Sequence, residues 1–151
     1  MRFSRFAHFG KLTTLLLCSS SAMFAQNGIW GEWKEPTGSV IEVFHCGNDA
    51  CLRLIAISST APTKTDDHNP DTQLRSRPLC GLQIGSGFHP EGGDAADGGS
   101  LYDPKSGKTY KGSMMRQSEE LHLRGYIGVK LFGRTETWVR ATNVSSCRKN
   151  P

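Results

Sequence analysis

Short stretches of alternating apolar and polar residues run along most of the chain, which is the pattern of half-buried β-strands. In Glu120–Tyr126, Leu121 and Leu123 fall on one face, and the polar residues between them fall on the other. The pattern predicts strands at residues 29–35, 39–46, 51–58, 79–84, 100–102, 109–115, 120–126 and 136–142. No long amphipathic helical period is present, and residues 128–134 are expected to form one short helical turn or a loop.

About eight short, closely connected strands predict an all-β fold, an antiparallel up-and-down barrel or a sandwich. A closed sheet also has no unpaired edge that could aggregate. Two long connections interrupt the pattern: residues 59–78 are polar and contain three prolines, and residues 88–99 are rich in glycine and aspartate. Long connections in a compact domain are often functional. For the glycine-rich segment 88–99 we expect a solvated surface loop.

The first 25 residues read as a secretory signal peptide. Arg2, Arg5 and Lys11 precede an apolar stretch over residues 12–24, and small residues allow cleavage after Ala22 or Ala25. The stretch is shorter than the roughly 20 residues of a membrane-spanning helix, although a buried N-terminal helix or a lipid-modified Cys18 would be the alternatives. We therefore expect a leader at 1–25, a single domain at 26–151 with no further membrane segment, and a periplasmic or secreted protein.

The net charge of the chain without its leader is close to zero and gives little information about binding partners. The whole chain has 18 Lys and Arg against 14 Asp and Glu, a net charge of +4. Three of the bases belong to the leader, so residues 26–151 carry 15 bases against 14 acids, a net charge of +1. These bases are scattered instead of clustered, so we expect no nucleic-acid partner.

Four cysteines remain after the leader, and an even number in an exported domain indicates disulfides. Cys46 and Cys51 flank a turn-like stretch and can face each other across a hairpin. Cys80 and Cys147 are then left to form a pair that staples the C-terminus to the middle of the chain. A zinc site is the competing interpretation, but the paired short spacings of structural zinc motifs are missing.

Several short patterns resemble functional motifs but lack an essential part. Residues 103–110 contain Gly-Lys-Thr, yet Tyr102 stands where a phosphate-binding loop begins with glycine, so we expect a hairpin turn. The oxygen-bearing side chains of Asp66, Asp67, Asn69 and Asp71 lack the spacing of a calcium hand. The histidines are scattered and no nucleophile elbow accompanies them. We therefore expect no catalytic residue, no metal and no cofactor.

A set of arginines and aromatic residues forms the most specific candidate ligand site. Arginine forks and aromatic faces suit a small acidic or amphipathic ligand. The candidates are Arg75, Arg77, Tyr102, Tyr110, Arg124, Tyr126, Arg134 and Trp138. The alternative is that these side chains are polar anchors and ion pairs that hold the barrel together.

Several segments together resemble the domain-of-unknown-function 2147 family of exported bacterial proteins. The matching segments are 66–71 (DDHNPD), 74–81 (LRSRPLCG), 102–110 (YDPKSGKTY), 123–128 (LRGYIG) and 131–140 (LFGRTETWVR). The resemblance implies a lipocalin-like barrel and no established activity. Such barrels often begin with Gly-x-Trp and place a late arginine over the indole as a cation–π contact. Trp33 with Arg140 is the favoured barrel-closing pair, and Trp30 is the alternative to Trp33.

These observations favour a non-catalytic exported barrel that binds a small amphipathic or acidic ligand or an envelope component. One alternative is a filled-core structural or protein-interaction module of the cell envelope. A second is a hydrolase-type enzyme, which would need a cleft that places a nucleophile or metal beside an acid or base. Whether the barrel interior is open or filled separates the first two.

Overall fold

Eight antiparallel strands follow one another around a closed barrel in the computed structural model, which describes residues 28–147. The predicted leader and both cleavage points lie outside the described residues. The strands are β1 Gly31–Lys34, β2 Val40–Cys46, β3 Asp49–Ala56, β4 Gln83–Glu91, β5 Ala95–Asp103, β6 Lys108–Gln117, β7 Glu120–Tyr126 and β8 Arg134–Arg140. Each strand pairs with the next, and β8 pairs with β1. The predicted all-β up-and-down barrel is confirmed.

The seam between β1 and β8 is short and is reinforced by side chains. Only Trp33 with Arg140 and Lys34 with Val139 are paired across it. The Arg140 guanidinium lies 3.7 Å above the Trp33 ring and donates to the carbonyls of Gly28 and Trp30, each at 2.6 Å. Trp33 is therefore the tryptophan beneath the late arginine, and it is fully buried, whereas Trp30 stacks on His45.

The glycine-rich segment 88–99 is not a surface loop, and that prediction is wrong. Strand β4 continues to Glu91 and β5 begins at Ala95, so most of the segment belongs to one hairpin. The strand predicted at 79–84 was placed too early, since β4 is Gln83–Glu91, and the strand predicted at 100–102 was too short, since β5 is Ala95–Asp103. Glycine is a poor strand residue and usually marks turns, which is why the pattern pointed to a loop.

Phe88 explains why these strands contain glycine. Its ring is fully buried, and a Cβ added at Gly99 would lie 2.3 Å from ring atoms. The corresponding distances are 2.8 Å at Gly112 and 3.1 Å at Gly85, all shorter than an ordinary contact. The ring therefore packs directly on the backbone of β4, β5 and β6, because a glycine in a strand permits such close approach.

The barrel interior around Phe88 is filled by side chains. The buried apolar cluster consists of Ile29, Trp33, Ile41, Val43, Ala50, Leu52, Leu54, Leu79, Ile84, Phe88, Ala96, Met114, Leu121, Leu123 and Trp138. Its members come from all eight strands and from the segments beside them. Burial of this surface is the main force that stabilises the fold.

Within residues 28–147, two disulfides link the chain in the pairing that the sequence indicated. Cys46 and Cys51 join β2 to β3 across their turn, and Cys80 and Cys147 join the β3–β4 connection to the C-terminal segment. The Cys147 amide also donates to the Ile55 carbonyl at 2.7 Å. The second bridge therefore fixes a long connection and the chain end to the barrel together.

The β3–β4 connection, residues 57–82, is long but attached to the barrel. Thr65 and Pro78 form an isolated bridge, the Leu79 amide donates to the Lys64 carbonyl at 2.8 Å, and Leu79 and Leu82 pack on the core. The β7–β8 connection, residues 127–133, contains one short helical turn at Lys130–Phe132. Within residues 28–147, no helix has the length and apolar character needed to cross a membrane.

Candidate functional site

A buried carboxylate organises the polar side chains of the β3–β4 connection. Asp66 is fully buried and accepts hydrogen bonds from the Tyr102 hydroxyl at 2.6 Å, Asn69 Nδ2 at 2.7 Å and Arg77 Nε at 2.8 Å. Arg77 Nη2 also lies 2.7 Å from the same carboxylate. Three of these residues belong to the connection, and Tyr102 belongs to β5. The cluster therefore fixes the connection against the barrel wall.

The hydrogen bonds decide the charge of this cluster. Burial raises the pKa of Asp66, but the hydrogen bonds from Tyr102, Asn69 and Arg77 outweigh burial, and the net shift is downward. Burial and the hydrogen bond to Asp66 raise the pKa of Tyr102 to about 12. At neutral pH the cluster therefore contains a carboxylate, a neutral phenol and a guanidinium, and Asp66 compensates the charge of Arg77.

The cluster forms one wall of an open groove of about 290 Å³, which we call the Arg77 groove. It is lined by Asn69, Pro70, Arg77, Gln83, Ile84, Gly85, Ser86, Ser100, Tyr102 and Thr109. The volume is near the lower limit of the roughly 300–1,000 Å³ that is usual for ligand pockets. The lining combines hydroxyl, amide and guanidinium groups with a few apolar surfaces.

A second recess, of about 400 Å³, lies against β5, β6 and the end of β7. We call it the Lys111 recess. It is lined by residues 98–100, 109–111 and 126–128, and it brings Tyr110, Tyr126 and Lys111 together. Two of the predicted aromatic residues therefore line this recess, which adjoins the Arg77 groove at Ser100 and Thr109.

The eight predicted ligand residues do not form a single site. Arg77 and Tyr102 line the Arg77 groove, and Tyr110 and Tyr126 line the Lys111 recess. The remaining four lie elsewhere. Arg75 Nε donates to the Asn69 carbonyl, and Arg124 donates to carbonyls of 127–133. Arg134 is exposed, and Trp138 is in the core. Asp66, which bonds both Arg77 and Tyr102, was considered only as a possible metal ligand, as was Asn69.

The carboxylate oxygens of the acidic segment 66–71 accept hydrogen bonds from other groups of the protein. Asp66 contacts Arg77 and Tyr102, Asp67 accepts from Thr65, and Asp71 accepts from the Gln73 amide at 2.9 Å. In the described part of the chain, no three His, Cys, Asp or Glu side chains are arranged to hold a metal ion. The arrangement of these carboxylates is that of a polar anchor.

One histidine has neighbours that invite comparison with a catalytic triad. His122 Nδ1 lies 3.2 Å from Thr137 Oγ1, and its Nε2 lies 3.6 Å from Glu120. The second distance exceeds hydrogen-bond length, and none of the three residues lines either recess. This trio therefore lacks the carboxylate hydrogen-bonded to the histidine and the enclosed reaction site that acyl transfer requires.

Replacing Asp66 by asparagine should cost about 2 kcal/mol at neutral pH, because hydrogen bonds to a charged group are lost while the shape is kept. The lowered pKa of Asp66 means that its contribution to stability is present above the ordinary value of 3.8 and is lost as the pH falls through the folded-state pKa. Urea unfolding from neutral pH to below about pH 4 measures this difference, which should shrink in acid.

Asp71→Asn is the matched control for that experiment. Asp71 is the exposed N-cap of a short helical turn, and asparagine caps as well as aspartate does, so its stability should follow that of the wild type. An equal loss for Asp66→Asn at neutral and acid pH would show that the charge of Asp66 does not stabilise the cluster.

Comparison with known proteins gives a family and a fold. A family model described as "Uncharacterized protein conserved in bacteria (DUF2147)" matches residues 31–140. Among solved structures the chain is similar to protein HP1028 from the human pathogen Helicobacter pylori, described as belonging to the lipocalin family. The two share 24% sequence identity and a TM-score of 0.70 over 80% of this chain and 91% of that chain. No curated protein matches the chain significantly.

Proposed function

Because the chain belongs to the DUF2147 family and folds as a lipocalin-like barrel, we propose that it is an exported, non-catalytic binding protein whose ligand occupies the Arg77 groove. The observation that carries this proposal is the Asp66 cluster. It fixes Arg77, Asn69 and Tyr102 in place beside an open groove, while Phe88 occupies the barrel interior. Preformed polar groups beside a concave surface are typical of small-molecule sites.

The groove favours a small ligand with a hydrogen-bond acceptor and an apolar part. A guanidinium has five N–H groups, and Asp66 contacts that of Arg77 only through Nε and Nη2. Donors therefore remain for a ligand oxygen, and the side chain keeps 34% of its surface exposed. Since Asp66 compensates the charge, recognition rests on hydrogen bonds more than on net charge. Pro70 and Ile84 supply apolar surface.

Export of the domain 26–151 after removal of the leader 1–25 is part of the proposal. Two disulfides indicate an oxidising environment outside the bacterial cytoplasm, and the family is bacterial. Periplasmic residence or secretion would give the protein access to envelope components and to small molecules that enter the envelope.

Native mass spectrometry of the protein recovered from a bacterial envelope tests the groove. The wild type should carry an added small mass. Ser86→Trp should lose it, because Ser86 is exposed and lines the groove, so that an indole there fills the space. Gln117→Trp places the same side chain at the exposed end of β6, outside the groove, and should retain the mass. An empty wild type, or a ligand that persists in Ser86→Trp, would contradict the proposal.

The filled interior favours a second candidate function, an interaction module of the cell envelope without a small ligand. Phe88 and its three glycines leave no space at that level of the barrel for a molecule. Such a module predicts an empty groove in native mass spectrometry and a protein partner recovered by cross-linking in the envelope, so the same preparation separates the two functions.

A further inference from the structure

The β7–β8 connection exposes a group of large apolar side chains. The exposed fractions are 72% for Ile127, 57% for Val129, 80% for Leu131 and 81% for Phe132. Single exposed apolar residues are ordinary, but a contiguous group marks an interaction surface. We call residues 127–133 the apolar loop.

The barrel holds the apolar loop through polar contacts. Arg124 Nε donates to the Lys130 carbonyl at 2.9 Å, and its Nη2 donates to the carbonyls of Lys130 and Leu131 at 2.6 Å and 3.1 Å. The Lys130 ammonium bonds the Asp97 carboxylate on β5. The polar groups of the loop are thus bonded to the barrel while the apolar side chains project into solvent.

The surroundings of the loop are basic. No acidic residue lies between Glu120 and Glu136, a stretch that contains Arg124, Lys130 and Arg134. Lys111 joins this group from β6, because it shares a recess with Ile127. Within residues 28–147 neither Lys111 nor Arg134 has an ion-pair partner. Asp97 on β5 is paired with Lys130, so these two charges compensate each other, and Glu91 also interacts electrostatically with Lys130.

We propose that the apolar loop docks the protein on an anionic lipid surface. Leu131 and Phe132 enter the boundary between headgroups and acyl chains, and Lys111 and Arg134 contact anionic headgroups. Apolar side chains beside basic ones are the chemistry by which proteins bind such interfaces without spanning them. The side chains project separately from one short turn, Lys130–Phe132, and a fluid lipid surface accepts them without a matching shape.

Vesicle co-sedimentation of the exported protein tests this proposal, which does not depend on a ligand in the Arg77 groove. The protein should bind phosphatidylcholine vesicles that contain phosphatidylglycerol, and less strongly those of phosphatidylcholine alone. The double variant Leu131→Ser/Phe132→Ser should bind the anionic vesicles about tenfold more weakly, because it removes the inserted apolar surface. Lys111→Gln/Arg134→Gln should also weaken binding to anionic vesicles and reduce its sensitivity to salt.

The matched control is Met115→Ser/Val139→Ser, which removes two half-exposed apolar side chains (47% and 43% exposed) from strands outside the loop. It should bind as the wild type does, and the thermal unfolding of each variant confirms that the barrel is intact. Absence of wild-type binding to either vesicle would overturn the proposal, as would unchanged binding by Leu131→Ser/Phe132→Ser. A wild-type dimer that forms without vesicle binding and is lost in that variant would assign the loop to self-association instead.

Discussion

Replacing Phe88 by alanine should lower the free energy of unfolding by about 3–5 kcal/mol, the range for truncation of a buried aromatic side chain. The ring is fully buried and lies at the centre of contacts with β4, β5 and β6. The three glycines around it cannot fill the cavity left behind, since they have no side chains that could rearrange. Urea unfolding followed by far-ultraviolet circular dichroism measures the loss.

The glycine on β5 should show the reciprocal effect. Gly99→Ala places a methyl group in the volume of the Phe88 ring and should cost about 1–3 kcal/mol by overpacking. In Phe88→Ala the same methyl group enters vacant space, so the double variant should be at least as stable as Phe88→Ala alone. The stability losses of the two single variants would then not add up in the double variant, as is expected for residues in direct contact.

Gly93→Ala is the control for this cycle. Its added Cβ meets no heavy atom within 4 Å, so the change in stability should stay within about 0.5 kcal/mol. Additive losses for Phe88→Ala and Gly99→Ala would mean that the ring does not occupy the space next to Gly99, and that the interior is open at this level.

Loss of the Cys80–Cys147 disulfide should destabilise the protein by about 4 kcal/mol in the chain-entropy model, against about 2 kcal/mol for Cys46–Cys51. The difference follows from the sequence separations, which are 67 and 5 residues. The double variants Cys80→Ser/Cys147→Ser and Cys46→Ser/Cys51→Ser remove each bridge without leaving a free thiol. Thermal or urea unfolding of both compares the two losses.

The short bridge is the internal control, because both variants exchange two sulfurs for two hydroxyls. The long bridge also fixes the connection that contains Asp66 and Arg77, so its loss should loosen the Arg77 groove as well. Equal losses for the two variants, or a larger loss for Cys46→Ser/Cys51→Ser, would contradict the prediction that the long bridge dominates.

Local patterning predicted the strands whose side chains alternate between core and solvent. Glu120–Tyr126 was predicted with the bounds that β7 has, because Leu121 and Leu123 alternate with polar residues. The prediction failed at β4 and β5. Gly85 and Gly99 face the core there with backbone atoms only, so no apolar side chain marks these positions in the sequence. Gly99 belongs to the core only because the Phe88 ring packs on its backbone. The residues next to a glycine do not reveal which distant ring will pack on it.

The candidate site was predictable only in part for a similar reason. Arg77 and Tyr102 were both predicted as ligand residues, but their link through Asp66 joins positions 36 residues apart in sequence. Trp138 carried the same chemical signal as the tyrosines, yet its strand register with Leu121 places it in the core. The exposure of Leu131 and Phe132 could not be foreseen either, since apolar residues are ordinarily expected inside.

A filled interior changes where a lipocalin-like barrel can bind. Open barrels of this size hold one small ligand inside, whereas here Phe88 and the surrounding side chains occupy that space. The proposed binding is instead on the outer surface, where the β3–β4 connection forms one wall of the Arg77 groove and the β7–β8 connection presents the apolar loop.

The most direct test of the filled barrel is a nuclear Overhauser spectrum of the folded protein that resolves the Phe88 ring protons. We expect cross-peaks from the ring to the α-protons of Gly85, Gly99 and Gly112, with the Gly99 α-protons shifted by the ring current. A Phe88 ring with no cross-peaks to these glycines would place it away from the centre of the barrel and would contradict the account.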